Sequence, residues 1–247
     1  MKRIFLVFAC ILLASLLTAQ EYYSNELLRK ANAGSAEAQY TLGWCYHFGD
    51  GVSQNYQEAV KWYLRAADQG VAEAQYSLGV CYDQGDGVEQ DYNEAVKWYR
   101  LASNQGLAEA QFSLGTCYYY GYGVSENFQE AMKWYILAAQ KGLAPAQYSL
   151  GRSYYIGGVK YYKEAVKWLR LAADQGHADA QSNLSACYLY GHGVVQDYSE
   201  AYFWCLQASA NGAEITQEVR DLIAEELTPQ RREQIQARAT KWFEEHQ

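Results

Sequence analysis

From Ala36 onward, apolar and small residues recur on the spacing of an amphipathic helix, not on the alternation of a strand. Ala38, Leu42, Cys45 and Gly49 stand at i, i+4, i+7 and i+11, which sets them on one stripe. A second phrase, EAVKWYLRAADQG from Glu58, has the same period, and a glycine-rich stretch separates the two. The second phrase opens with the spacing of a capping box, Asn55 with Glu58. In such a box the Asn side chain accepts first-turn N–H groups while the Glu reaches back to the cap, worth about 1 kcal/mol. Asp91 with Glu94, Asn127 with Glu130 and Asp197 with Glu200 repeat the signal. Gly70, Gly106, Gly142, Gly176 and Gly212 close the phrases and suit the left-handed residue that ends a helix. The pattern predicts helix A, a glycine-rich turn and helix B, repeated.

The repeat is explicit in the letters. AEAQYTLGWCYHFGDGV begins at Ala36, AEAQYSLGVCYDQGDGV at Ala72, AEAQFSLGTCYYYGYGV at Ala108, APAQYSLGRSYYIGGV at Ala144 and ADAQSNLSACYLYGHGV at Ala178. Five repeats follow, at 36–71, 72–107, 108–143, 144–177 and 178–212, behind a half-repeat or cap at 20–35 that contains LLRKANAG. Repeat four is two residues short: GGVKYYKEA from Gly157 leaves its helix B without an Asp or Asn cap, so that helix is expected to fray. Pro145 falls in a first turn, where a missing N–H is tolerated. Repeat five carries Ser185 for the helix A glycine and Ser182 for tyrosine. Residues 213–247 read as two further helices, the last capped by Thr228 ahead of Pro229, and form the polar cap that a repeat stack needs.

The phrase A-x-A-Q-Y-x-L-G-x-x-Y-x-x-G-x-G-V, followed by Asp or Asn, A-V-K-W-Y and A-A-x-x-G, resembles the Sel1-like repeat, a relative of the tetratricopeptide repeat. The resemblance covers Ala36 to Gly212. It implies an all-α fold, a right-handed α-solenoid of antiparallel helix pairs, and a role as a protein-interaction scaffold or adaptor. Family members include adaptors in the endoplasmic reticulum and secreted or periplasmic bacterial proteins.

Lys2 and Arg3 precede an apolar run of 14 residues from Ile4 to Leu17, too short for a comfortable membrane span and suited to a secretory signal. Cleavage after Ala19 is expected, with an uncleaved anchor as the alternative, so residues 1–19 are assigned to a signal peptide and the protein to the secreted or periplasmic space. The net charge is −8, and removal of those residues makes it −10. An acidic chain without a Lys/Arg run is poorly suited to the phosphate backbone. The mature chain is expected to be a monomer with no membrane span, no nucleic-acid partner and no cofactor.

His47, His177, His192 and His246 lack metal-ligand spacing, and the GDGV turns at Gly49 and Gly85 lack the carboxylate spacing of a calcium loop. Cys45, Cys81, Cys117 and Cys187 recur on the apolar stripe of helix A. Packed helices lie about 8 to 10 Å apart and a disulfide needs Cα atoms within about 7 Å, so these four are expected to be buried thiols. A cysteine-rich branch of the resembled family pairs a helix A cysteine with one in helix B, which leaves a Cys187–Cys205 bridge open.

Residues that recur in every copy serve a shared structural role. They are the leucines from Leu42 to Leu184, the glutamines from Gln39 to Gln181, and Trp62, Trp98, Trp134, Trp168 and Trp204 on helix B. Helix A positions that vary between copies are free of that role. They are Trp44, Val80, Thr116, Arg152 and Ala186; His47, Asp83, Tyr119, Tyr155 and Leu189; and Phe48, Gln84, Tyr120, Ile156 and Tyr190. They project away from the Leu42 direction, and in the superhelix that the resemblance implies helix A lines the concave side. The candidate protein-binding residues are therefore Trp44, His47, Phe48, Thr116, Tyr119, Tyr120, Arg152, Tyr155, Ile156 and Tyr190, in a groove that holds a peptide or partner protein. The sequence does not read as an enzyme. Two alternatives are a β-lactamase-like hydrolase, as in cysteine-rich relatives, for which no Ser-x-x-Lys or Gly-x-Ser-x-Gly is present, and a binder of cell-wall glycans.

Overall fold

The computed structural model describes residues 25–215 and 217–246; the signal segment 1–19 and the first residues of the leading half-repeat lie outside them. Among the described residues all regular structure is helical. Helix α1 is described over 25–32. There follow α2 (Ala36–Phe48), α3 (Tyr56–Asp68), α4 (Ala72–Gln84), α5 (Tyr92–Asn104), α6 (Ala108–Tyr120), α7 (Phe128–Gln140), α8 (Ala144–Ile156), α9 (Tyr162–Asp174), α10 (Ala178–Tyr190), α11 (Tyr198–Ala210), α12 (Gln217–Glu225) and α13 (Pro229–Glu245). The chain forms two compact units, one ending at Asn127 and one beginning at Phe128. In the first, α2 pairs with α3 and α4 with α5, while α4 packs on α3 and α6 on α5. In the second, α8 pairs with α9 and α10 with α11; α8 packs on α7, α10 on α9, and α12 and α13 on α11. Each unit is thus a run of antiparallel helix pairs of the solenoid type.

Small residues on helix A admit large ones from helix B. A Cβ at Gly43 would lie 2.6 Å from the Tyr63 ring, and one at Gly79 would lie 2.4 Å from the Tyr99 ring. In repeat five, Ser185 stands at this register and donates to the Ala201 carbonyl at 2.7 Å, and α11 carries Cys205 at the ring position. Around these contacts Leu78, Leu114, Leu150 and Leu184 are fully buried.

The recurring glutamine joins helices on both sides. Nε2 of Gln39, Gln75, Gln111, Gln147 and Gln181 donates to Ala31, Ala67, Ser103, Ala139 and Ala173 carbonyls at 3.0 to 3.3 Å. Oε1 of Gln39, Gln75, Gln147 and Gln181 accepts from Gln69, Gln105, Gln175 and Asn211 at 2.7 to 3.0 Å. In those four copies both ends of the buried amide are satisfied, whereas the buried Gln111 Oε1 has no hydrogen-bond partner among the described residues.

The helix B caps form by half of the expected box. Asn55 accepts from the Glu58 N–H at 3.1 Å, and Asp91 and Asp197 each accept two first-turn N–H groups. The glutamates do not reach back. The caps' own N–H groups donate to the last turn of helix A, at Tyr46, Tyr82 and Tyr188 carbonyls, so Glu58 and Glu94 pair with Lys61 and Lys97 instead. In the short repeat four, α9 follows a 3-10 turn, Val159–Tyr161, and its cap residue Tyr161 makes no side-chain bond. Pro145 lies in the first turn of α8, and Thr228 caps α13 by accepting the Arg231 N–H at 3.2 Å.

Helix α13 covers the face of α11 that carries lysine on the other B helices. Phe203 replaces Lys61, Lys97, Lys133 and Lys167 at that register and is 1% exposed. The Arg238 guanidinium lies 3.9 Å from the Phe203 ring centroid and pairs with Glu200 at 2.5 Å. All five described cysteines are free thiols, so Cys187 and Cys205 are not bridged. Burial pushes Cys81 and Cys117 up to about 12 and Cys187 to about 11. Cys45 is only partly buried.

Candidate functional site

The A-to-B turns place the candidate residues. In the first unit they read Gly49-Asp50-Gly51, Gly85-Asp86-Gly87 and Gly121-Tyr122-Gly123. Gly87 and Gly123 have φ of 76° and 64°, and a Cβ there would come within 2.4 and 2.1 Å of the Tyr56 and Tyr92 carbonyl oxygens. Each turn therefore rests on the first turn of the preceding helix B, and only glycine fits so close an approach. Gln54 donates to the His47 carbonyl at 2.8 Å and the Tyr56 hydroxyl at 3.0 Å. Gln90 does the same with Asp83 and Tyr92, at 2.6 and 3.1 Å. Repeat three has Glu126 at this place, which has no N–H to give.

Aromatic rings gather on that edge of the first unit. Trp44 and Phe48 are 40% and 59% exposed with centroids 4.9 Å apart. His47 turns inward, 5.1 Å edge-on to Tyr56, and its burial holds it below the usual histidine range while Asp86 acts the other way. Tyr92 stacks on Tyr122 at 5.2 Å and Tyr122 on Tyr120 at 5.6 Å, all three exposed, with Tyr119 against Tyr120 at 4.8 Å. Thr116 is half-buried and donates to the Phe112 carbonyl at 3.0 Å. Asp50, Asp86, Glu89 and Glu126 line the same turns, and none of them is in an ion pair among the described residues. The segments 49–55, 85–91 and 121–127 contain no Lys or Arg.

The second unit has a corresponding cluster. Tyr155 hydrogen-bonds His192 Nδ1 at 2.7 Å and stacks on Tyr162 at 5.0 Å, and Tyr162 stacks on His192 at 4.6 Å. Burial raises the Tyr155 hydroxyl. Arg152, Ile156 and Tyr190 are exposed, and Lys160 and Lys163 lie in and just after the shortened turn.

The variable positions thus separate by register. Phe48, Tyr120, Ile156 and Tyr190, the last residues of their helices, face solvent. The preceding register, expected to project outward with them, is drawn in: His47, Tyr119 and Tyr155 are half-buried, His47 against Tyr56 and Tyr155 against Tyr162, and Leu189 is buried in the core. The contrast arises because the turn folds back over one side of the last helical turn. Sequence reasoning missed Tyr92, Tyr122 and His192. Tyr92 was hidden by recurrence, since an aromatic opens every helix B, whereas the variable turn position, Asp50, Asp86, Tyr122 and His192, was a usable signal. In the first unit, flat ring area thus stands beside carboxylates.

The Sel1 repeat model matches residues 36–71, 72–107, 108–143, 144–177 and 178–212. A Sel1 repeat protein from Oxalobacter formigenes is 36% identical with a TM-score of 0.68, over 72% of each chain. A protective antigen present in uropathogenic Escherichia coli strains, displaying an SLR fold, is 35% identical with a TM-score of 0.78, over 90% of this chain and 48% of that one. The chain spans about half the length of that antigen. No curated protein matches it.

Proposed function

The chain belongs to the Sel1 repeat family, whose members are generally protein-interaction scaffolds, and from that premise we propose that it is an extracytoplasmic adaptor holding a protein or peptide partner on its ring-bearing surface. The supporting observation is the exposure of Trp44, Phe48 and Tyr120 in the first unit, and of Ile156 and Tyr190 in the second, at registers that vary while the leucine, glutamine and tryptophan registers are fixed. Aromatic anchors contribute large contact area at low entropic cost. The charged start and short apolar run of residues 1–19 support export, and no helix among the described residues is long and apolar enough to cross a membrane.

A photo-crosslinking residue at Tyr120 or Phe48, compared with one at exposed Lys97, tests the reading in the native compartment. Capture of one recurrent partner from the ring positions alone is expected, and equal capture from Lys97 would discard it. The stacked exposed tyrosines favour a second reading, glycan binding, since sugar faces stack on such rings. Sedimentation of the protein with isolated cell-wall glycan, lost on Tyr122→Ser, would favour that reading over the adaptor.

A further inference from the structure

Four carboxylates on the turn edge of the first unit have no cation of their own. Glu58 and Glu94, on helix B, are neutralised by Lys61 and Lys97 one turn away. Asp50, Asp86, Glu89 and Glu126 make no ion pair among the described residues and stand in segments without a Lys or Arg. Rings stand at two of the three turns: Trp44 and Phe48 beside the first, and the stacked Tyr92, Tyr122 and Tyr120 at the third. No group of three or more His, Cys, Asp or Glu among the described residues converges as a metal cage would. The carboxylates are instead distributed one or two per turn, along turns that rest on successive B helices through Gly87 and Gly123.

Carboxylates spaced along a surface, with exposed aromatic faces beside them at either end, match a row of side-chain cations. Each ammonium or guanidinium gains a charge partner and a ring face together. Packed helices advance about 8 to 10 Å and an extended chain rises about 3.3 Å per residue, so one repeat corresponds to about three residues of partner. We infer that the turn edge of the first unit binds an extended partner segment carrying Lys or Arg at about every third residue. This deepens the adaptor reading and rests on it: the ring-bearing surface is the same, and the partner's chemistry is now specified.

The test uses the full chain and a fluorescent synthetic peptide of Lys-Ser-Ala triplets. Its controls are the same peptide with Glu for Lys, the same with Ser for Lys, and a peptide of equal charge with its lysines grouped at one end. Anisotropy titrations should show binding of the Lys-Ser-Ala peptide alone, weakening as salt is raised. Combining Asp50→Asn, Asp86→Asn, Glu89→Gln and Glu126→Gln changes charge and almost no volume. It should weaken binding about tenfold or more with the thermal melt unchanged. Tyr120→Ser should weaken it about fivefold.

Equal binding of the Ser or Glu peptide, unchanged affinity in the amide variant, or no binding of the Lys-Ser-Ala peptide would overturn the inference. Equal binding of the grouped-lysine peptide would overturn the spacing and with it the stated partner. If the crosslinker at Tyr120 still captures a partner while these titrations fail, the adaptor reading survives and only the basic segment falls.

Discussion

At His177 a single proton decides whether α10 is capped. Its Nδ1 accepts the Ala180 N–H at 3.4 Å, at the register where Ser35 caps α2 by accepting the Ala38 N–H at 3.3 Å. Tyr148 stacks on the ring at 4.6 Å, and desolvation holds His177 below its ordinary value of 6.5, with Asp179 opposing. An imidazole caps only while Nδ1 keeps its lone pair. The folded pKa is depressed, so below about pH 6.5 the unfolded chain binds more protons than the folded one. The contribution is complete above that pH and declines as pH falls through it toward the folded value. His47, lowered by burial, acts in the same sense. Urea melts at pH 7.5 and 5.5 should show lower stability at the acid end, and His177→Ser should remove part of the difference. An undiminished difference in that variant would assign the acid sensitivity elsewhere. The letters place His177 among histidines without metal spacing, but they hide the cap, because Val71, Leu107 and Leu143 hold its register in the three intervening repeats without a side-chain bond.

The helical hairpin was legible because its signals are local. Capping residues, closing glycines and an apolar stripe all act within one phrase, and α3, α5 and α11 begin directly after their Asn or Asp caps, whereas α9 begins without one. What was not legible is how the turn consumes the cap's own N–H, since that depends on the tertiary path back to Tyr46. Asn55→Ala should therefore cost about 1 kcal/mol, whereas Glu58→Ala should cost no more than about 0.5 kcal/mol, the worth of an exposed pair with Lys61. Comparable losses in denaturant melts would restore the reciprocal box. The Gly79–Tyr99 contact makes a sharper claim. Gly79→Ala should cost about 1 to 3 kcal/mol by overpacking, and the cost should be smaller in a Tyr99→Cys background, since in repeat five Ser185 already stands at the glycine register with Cys205 at the ring position. A cycle in which the two changes simply add would show that the ring is free to move aside.

Each repeat needs only its neighbours to bury its apolar face, which is why five phrases could be counted from letters alone and why the end of the stack could not be read as easily. On α11 the repeat's lysine becomes Phe203, its ring position becomes Cys205, and Gln207 is buried where Arg65 is exposed on α3. The changes at 203 and 207 make sense only with α13 in place: Arg238 lies over Phe203 and pairs with Glu200, and Gln207 donates to the Ala239 carbonyl at 2.7 Å. A chain ended at Gly212 should therefore expose Phe203 and the ring of Trp204, which lies 5.9 Å from Trp242, and it should self-associate on size-exclusion chromatography. Phe203→Lys together with Gln207→Arg rewrites that face as α3 has it, with Lys61 and Arg65, and the shortened chain should then elute as a monomer. In the full chain the same pair should instead release α13, because a buried unpaired lysine replaces an aromatic under Arg238. Proteolysis within 229–245 reports that release. Equal solubility of the two shortened chains would mean that α12 and α13 are an appendage and not the cap of the stack.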